Sequence, residues 1–370
     1  MSSEYVIDLR NFNKIAPDLA KQEVVIGAGC RLGQVIQSLG ALNYAIPTGT
    51  CPSVGVAGLT LGGGLGILSR TFGLTCDSIK SITFVNANAQ VVKITPQKNP
   101  HLFWALCGAG GGSYGIVLNF TFKMHYVPRV SLLELNWPWN PETVFEIFQA
   151  WQAWVPTLKD TINTEVHLKC LDGNPTISVA ALKVGSQPFT EWIPAFKKLK
   201  PRVTLTQERY IESARRLSSR YTQPFSKARS KFLLKPLARP GVRTIVNFFE
   251  RLKKSKEKVL VYLEIGAGGG KIAQKDTSYH PRSAFAWFFQ FVYWNHQNQS
   301  EEALAAINRF YDTVEPYCSP YSYANLVDYE LGKKYLRAYY GNNVDRLIRI
   351  KRAHDPTNTF KWRQSIPLVR

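Results

Sequence analysis

Cys51 stands in Pro47-Thr48-Gly49-Thr50-Cys51-Pro52-Ser53-Val54-Gly55-Val56-Ala57-Gly58, the densest glycine stretch of a 370-residue chain. A thiol flanked by turn glycines and backbone N–H groups is open to activation as a nucleophile, because local positive potential favours the thiolate. The competing reading is a small buried cysteine in a turn. Two more glycine clusters follow, Leu61-Gly62-Gly63-Gly64-Leu65-Gly66 and Gly108-Ala109-Gly110-Gly111-Gly112-Ser113-Tyr114-Gly115. Glycine marks tight turns or places where the backbone approaches a ligand, and successive main-chain N–H groups there can cradle a phosphate or face a polar heterocycle. The other cysteines, at 30, 76, 107, 170 and 318, stand alone with no spacing that suggests disulfides or zinc. His101, His125, His167, His280, His296 and His354 show no ligand spacing either, so no metal site is expected.

The elements that must carry these residues begin with alternating short strands and turns. Strands are predicted at 5–9 and at 23–26, the second running into Gly27-Ala28-Gly29, with a helix from Leu32 to Leu39. Gly27-x-Gly29-x-x-x-Gly33 has one residue too many for a dinucleotide fingerprint, and no acidic residue lies between Glu23 and Asp77, so NAD binding is not expected. The third glycine cluster precedes a strand from Ile116 to Phe122. Beyond Pro128 the glycines thin out, and Asn140 caps a helix from Pro141 to Trp154, which places a domain boundary there. Strands are predicted at 165–171, 176–184, 259–265 and 284–293, and helices at 192–199, 242–253 and 301–315.

Apolar residues make up 45% and charged residues 19%, ordinary for a globular enzyme, while 12% aromatic residues are enough to stack flat ligands. The longest apolar run, around Ala284 to Trp294, is interrupted by Gln290, so no membrane span is expected. Met1-Ser2-Ser3-Glu4 lacks a signal-peptide pattern, which makes the cytoplasm the default compartment. Lys and Arg exceed Asp and Glu by 46 − 26 = +20; residues 197–258 contribute 19 − 4 = +15 and residues 332–370 contribute 10 − 2 = +8. Solvated helix faces are the favoured reading of this basicity; an anionic partner, nucleic acid or lipid, is the other, and no nucleic-acid motif accompanies it.

At Thr48 to Gly66 the residues stop being generic. The string TGTCPSVGVAGLTLGGGLG, with LSRTFGLTCDSI after it, closely resembles the flavin-contacting region of the berberine bridge enzyme-like FAD oxidoreductases, within the PCMH-type (vanillyl-alcohol oxidase) flavoprotein fold. VIDLRNFNKI at 6–15 and LFWALCGAGGGSYGIVLNFTF at 102–122 are similar to the FAD-binding domain of that family. YANLVDYEL and YYGNNVDRLIRIKRAHDPTNTF, between 323 and 360, are similar to its C-terminal segment.

The resemblance implies a two-domain α+β fold: an FAD-binding domain over 1–128, an antiparallel-sheet substrate domain covered by helices over 129–317, and a C-terminal segment, 318–370, packing back on the FAD domain. Family members carry a further N-terminal subdomain with a pyrophosphate loop and often a flavin-bonded histidine, and this chain begins after that region. A shortened chain, a catalytically inactive remnant, or half of a split flavoprotein needing a complementing N-terminal subdomain or chain are the readings this leaves. The leading one is an FAD-dependent, oxidase-like oxidoreductase that passes a hydride from an alcohol or C–H group of a small organic substrate to flavin N5, with O₂ as reoxidant.

By the same resemblance, Cys51 sits where a 6-S-cysteinyl bond to the flavin forms, and Val54 at the position that governs oxygen access; as a lone residue it is otherwise core. Gly55, Val56, Gly58, Gly62, Gly63 and Gly64 would give main-chain contacts to the cofactor, as would Gly115, Ile116 and Val117, with structural turns as the competing reading. Tyr323 would face the substrate as the base, provided that nearby Lys or Arg depress its phenol, and Asn325 would bond the ring. Tyr323 is otherwise a half-buried loop tyrosine. Leu326 and Phe285-Ala286-Trp287 replace polar residues of relatives, which implies a more apolar pocket than a sugar oxidase uses. Lys351, Asp355, Pro356, Asn358 and Phe360 fit the closing motif and are read as structural.

Overall fold

The computed structural model describes residues 6–218, 223–255 and 259–369. Tyr5 of the strand predicted at 5–9 and parts of the basic stretch 197–258 lie outside these residues.

The first unit is built on a five-stranded antiparallel sheet. In chain order come β1 (Ile15–Asp18), β2 (Glu23–Gly27), α1 (Leu32–Ala41), β3 (Tyr44–Ala45), α2 (Val56–Leu61), α3 (Ser69–Phe72), β4 (Ile79–Val85), β5 (Val91–Ile94), α4 (Pro100–Leu106), β6 (Ile116–Lys123) and β7 (His125–Tyr126). The sheet runs β1-β2-β6-β4-β5, and β3 and β7 make a separate ribbon. Alternation decides its faces: Val24 and Ile26 are buried while Val25 between them is exposed. Leu32, Val35, Ile36 and Leu39 form the buried stripe by which α1 joins the same core. Residues 6–9 form no strand; their backbone closes on a turn instead, with Phe12 N–H donating to Leu9 C=O, and the first strand starts at Ile15.

The second unit is a seven-stranded antiparallel sheet, built from β8 (Arg129–Trp137), β9 (Ile162–Leu171), β10 (Asn174–Val184), β11 (Arg202–Arg209), β12 (Phe225–Leu233), β13 (Leu260–Ala267) and β14 (Ala286–Trp294) in the order β11-β8-β10-β9-β13-β14-β12. One face lies under α5 (Pro141–Trp154) and the helices Arg239–Lys254 and Ser300–Val314. The Asn140 side chain accepts from Thr143 N–H at 3.0 Å to cap α5, whose Val144, Ile147, Phe148 and Trp151 are buried. The helix predicted over 192–199 is shorter, one turn at Ile193–Phe196 followed by a 3-10 turn ending at left-handed Lys200. The other sheet face turns toward the first unit.

Two arginines, Arg70 buried and Arg282 largely so, join the units. Arg70 of α3 donates to the carbonyls of Ile162 at 2.7 Å, Leu158 at 3.3 Å and Gly268, which are the entry to β9 and the exit from β13. Arg282 grips Asp77 with both terminal nitrogens at 2.7 and 2.8 Å. The chain then returns. Helix Val344–His354 carries Lys351, buried with Asp355 and donating to Ser113 C=O and Phe360 C=O at 2.7 Å each, so the closing motif clasps the third glycine cluster.

Candidate active site

The site is a cavity of about 570 Å³ between the two units. Its first wall is the glycine rim, including Gly49, Thr50, Cys51, Val54, Leu59, Leu65, Gly66 and Ile67. The rim keeps its shape through close backbone packing. A Cβ on Gly66 would stand 1.9 Å from Thr48 C=O; one on Gly62 would meet Asn325 Oδ1 at 2.0 Å, and one on Gly64 Thr75 Oγ1 at 2.2 Å. Gly63 and Gly64 also hold φ of +103° and +84°, which side chains other than hydrogen strain to adopt. Gly62, Gly63 and Gly64 therefore pack the rim from behind, while Gly66 lies in the wall itself, tight against Thr48. Gly55 and Gly58 differ: both are exposed, and a Cβ on either would meet nothing within 4 Å. They flank the start of α2, with Val56 buried between them. Gly115 packs on Phe84, and Ile116 and Val117 open β6; none of the three lines the cavity.

Cys51 is half-buried, its Sγ 3.4 Å from Ser53 Oγ. The open backbone at Gly55 and Gly58 follows this thiol and Val54 in the chain, but these two glycines, like Val56 and Gly62 to Gly64, do not themselves line the cavity. The thiol, Val54 and these glycines, with Asn325 behind them, are the residues that would hold a flavin.

Tyr323 is buried, and its hydroxyl accepts from Leu65 N–H at 3.1 Å and from Asn325 Nδ2 at 2.9 Å, while Asn325 also donates to Leu59 C=O at 2.9 Å. The pair thus ties the C-terminal segment to the rim. Burial pushes the phenol up to about 12, and no Lys or Arg among the described residues acts to lower it, which is against the expectation of a depressed phenol acting as base. Tyr323 stacks on Phe289 at 5.4 Å and does not itself line the cavity.

The second wall comes from the sheet, and sequence reasoning missed it. Strand alternation points Glu165, His167 and Lys169 of β9 into the cavity, with Glu134 and Asn136 of β8, Ser178 of β10, Tyr262 and Glu264 of β13, and Trp287 and Phe289 of β14. Register places Ser178, His167, Glu264 and Phe289 side by side across four strands. The functional atoms of Glu165, His167 and Glu264 lie within 4.8 Å of one another. His167 Nε2 contacts Glu165 Oε2 at 3.1 Å, and Asn163 Nδ2 donates to Glu165 Oε1 at 3.3 Å. Glu264 accepts from Tyr262 OH at 3.1 Å and Trp287 Nε1 at 3.3 Å. With these oxygens already engaged, the trio reads as an acid–base cluster. Burial, then the neighbouring Glu165 charge, push Glu264 up to about 7.

This wall also corrects the expected apolar pocket. Phe285 faces the helices, at 6.1 Å from Trp151, and Ala286 is buried in the same layer; only Trp287 of that tripeptide reaches the cavity. The six histidines lack ligand spacing along the chain, yet β9 and β13 bring His167 beside two carboxylates 99 residues apart in sequence (165 to 264). The signal was present: Glu165-Val166-His167-Leu168-Lys169 alternates ionisable and apolar residues, which puts three ionisable groups on one strand face.

Comparison with known proteins finds family matches at both ends of the chain. Residues 1–95 match the family model for an FAD binding domain, and residues 322–367 match the berberine and berberine-like model. An uncharacterized FAD-linked oxidoreductase of Bacillus subtilis (strain 168) is 31% identical over 381 residues, covering 100% of this chain and 83% of the relative. Berberine bridge enzyme-like 12 of Arabidopsis thaliana is 30% identical, covering 98% and 76%. Among solved structures, Physcomitrella patens BBE-like 1 superposes with a TM-score of 0.85 at 28% identity, covering 98% of this chain and 81% of that one. The xylooligosaccharide oxidase of Myceliophthora thermophila C1 gives 0.86 at 25%, with the same coverage. No described helix is long and apolar enough to cross a membrane. With its glycine rim, its returning C-terminal segment and these relatives, the chain belongs to the berberine bridge enzyme-like family of FAD-linked oxidoreductases.

Proposed function

We propose that this chain is an oxidase-like member, removing a hydride from an alcohol or C–H group of a small organic substrate held in the cavity, with O₂ as the final acceptor. The observation that carries the reading is the pairing of two unlike walls: a rim of Gly49, Thr50, Cys51, Val54, Leu65 and Gly66 faces a sheet lined with hydrogen-bonding and ionisable side chains. The flavin, when bound, supplies the two-electron chemistry. Gly55, Val56 and Gly58 would carry the main-chain contacts, with Cys51 placed for a 6-S-cysteinyl link and the small Val54 leaving room beside the ring for oxygen. Gly62, Gly63, Gly64, Tyr323 and Asn325 support the rim from behind, and Gly115, Ile116 and Val117 set the edge where β6 begins. Asn136, Ser178 and Lys169 suit a substrate rich in hydroxyl groups, as does the kinship with an oligosaccharide oxidase. The alternative of a remnant or a split flavoprotein that needs a partner chain gains no support from these relatives.

The test is expression with added riboflavin, followed by a visible spectrum and a peroxide assay with xylobiose, N,N′-diacetylchitobiose and benzyl alcohol. Bound flavin and peroxide production support the reading. A folded, colourless protein that also takes up no added FAD sinks it.

A further inference from the structure

We propose that Glu264 is the proton acceptor of the reaction, mounted in the sheet by Glu165, His167, Tyr262 and Trp287. The proposal rests on the oxidase reading and names the catalytic residue within it.

A carboxylate at the centre of a seven-stranded sheet is a costly choice for a passive wall. Leu263 and Ile265, its chain neighbours, point the other way into the helix-covered core, so Glu264 is committed to the cavity face. Each of its oxygens has one neutral donor, Trp287 Nε1 and Tyr262 OH, which fixes the carboxyl plane and leaves the remaining lone pairs open. Its cross-strand partner is Phe289, the ring that stacks on Tyr323. Glu264 therefore stands one strand from the point where the sheet meets the rim, while Lys169 stands one rung further out, 5.3 Å over the Tyr262 ring.

The charged and titratable groups facing Glu264 are Glu165, His167 and Lys169 from β9, Tyr262 from β13 and Glu134 from β8; Cys51 of the rim and Arg216, paired with Glu208, also line the cavity, and β14 offers only aromatic rings there. The near neighbour of like charge is Glu165, and with burial it keeps a proton on Glu264 until about neutral pH. A base of that strength is matched to a reaction run near pH 7. Tyr323 is not: burial raises its phenol in spite of the two donors to its oxygen.

In the step itself the substrate O–H bond breaks and its proton goes to Glu264. A bound flavin would supply the acceptor for the carbinol hydrogen and its electron pair as the C=O bond forms. The proton on Glu264 then exchanges with His167 and solvent through the cavity mouth.

The experiment compares wild type, E264Q and E264D as flavin-loaded proteins. On anaerobic mixing with the same three substrates, flavin bleaching by E264Q should slow by about 100-fold or more, with dithionite reduction and flavin content unchanged. The acid limb of the wild-type pH profile should vanish in E264Q and return in E264D. A second readout needs no substrate: in difference infrared spectra across about pH 7, wild type should lose a protonated-carboxyl band that E264Q lacks. E264Q bleaching at the wild-type rate with the same acid limb overturns the proposal, as does a wild-type protein with no such band. If none of the three substrates bleaches wild type, that outcome counts against the oxidase reading, and the infrared result still decides on Glu264.

Discussion

The two walls of the cavity are made in opposite ways. The rim is one continuous stretch, Gly49 to Ile67, rich in glycine, whose chemistry is its backbone with Leu59, Leu65 and Ile67 as aliphatic filling. The sheet wall draws Glu134, His167, Glu264 and Phe289 from strands scattered over more than 150 residues, and its chemistry lies wholly in side chains. The rim should thus be intolerant of added atoms. The wall should tolerate them structurally and lose function when a single polar atom changes.

The largest effect is expected on the rim. Gly66→Ala drives a methyl to within 1.9 Å of Thr48 C=O, backbone against backbone, and should cost about 4 kcal/mol or abolish folding. Gly58→Ala, which meets open space, should keep or slightly raise the melting temperature but lower flavin content. Thermal melts beside flavin absorbance check both. Equal losses of stability in the two variants would break the distinction between packed and open glycines.

The joint between the walls comes next. Arg70→Met leaves the carbonyls of Ile162, Leu158 and Gly268 without their donor in a buried setting, a loss of about 3 kcal/mol by denaturant titration. Arg70→Lys should restore part of it, since an ammonium cannot span three acceptors as the guanidinium fork does.

On the sheet wall the effect is smaller and depends on pH. Glu264 is raised from 4.5 to about 7 in the folded chain. Between these values the folded state holds a proton that the unfolded chain has released, so the unfolded state binds fewer protons and stability falls as pH rises through the window. A decline of about 2 kcal/mol is expected across it, allowing for solvent access from the cavity, and E264Q should flatten that decline. A wild-type curve that instead rises steadily over the same range would contradict a protonated Glu264.

Smallest of all, Cys51→Ala should change stability by less than about 0.5 kcal/mol, because the thiol is half-buried and its one polar contact is with Ser53. It should remove a flavin mass adduct seen under denaturing conditions if the 6-S-cysteinyl link forms. An adduct that survives the substitution places the link elsewhere.

The same contrast explains what could be read from the chain. Glycine spacing and capping are local, so the rim, the Asn140-capped helix and the Lys351–Asp355 clasp all show in short strings of residues. Strand pairing is not local. The acid–base cluster exists only because β13 returns beside β9 and sets Glu264 opposite His167, and nothing in either segment alone names its partner. β11 and β12 escaped notice because they are edge strands rich in Arg, Lys, Thr and Ser, without the apolar alternation that marks half-buried strands. The strand predicted at 5–9 failed the other way: its apolar residues Val6 and Ile7 are exposed and find no partner strand among the described residues. Tyr323 shows the limit of motif reading. Its place in the chain suggested a base with a depressed phenol; burial raises that phenol instead.

The most direct test of the rim is reconstitution of the purified chain with FAD, read as bound flavin per chain from the visible spectrum, beside a Gly55→Val, Gly58→Val double variant. One FAD per wild-type chain, with the double variant folded but largely colourless, is the expected result. A wild-type chain that is folded and binds no FAD, or a double variant that binds it equally well, would contradict the placement of the cofactor on the open glycines.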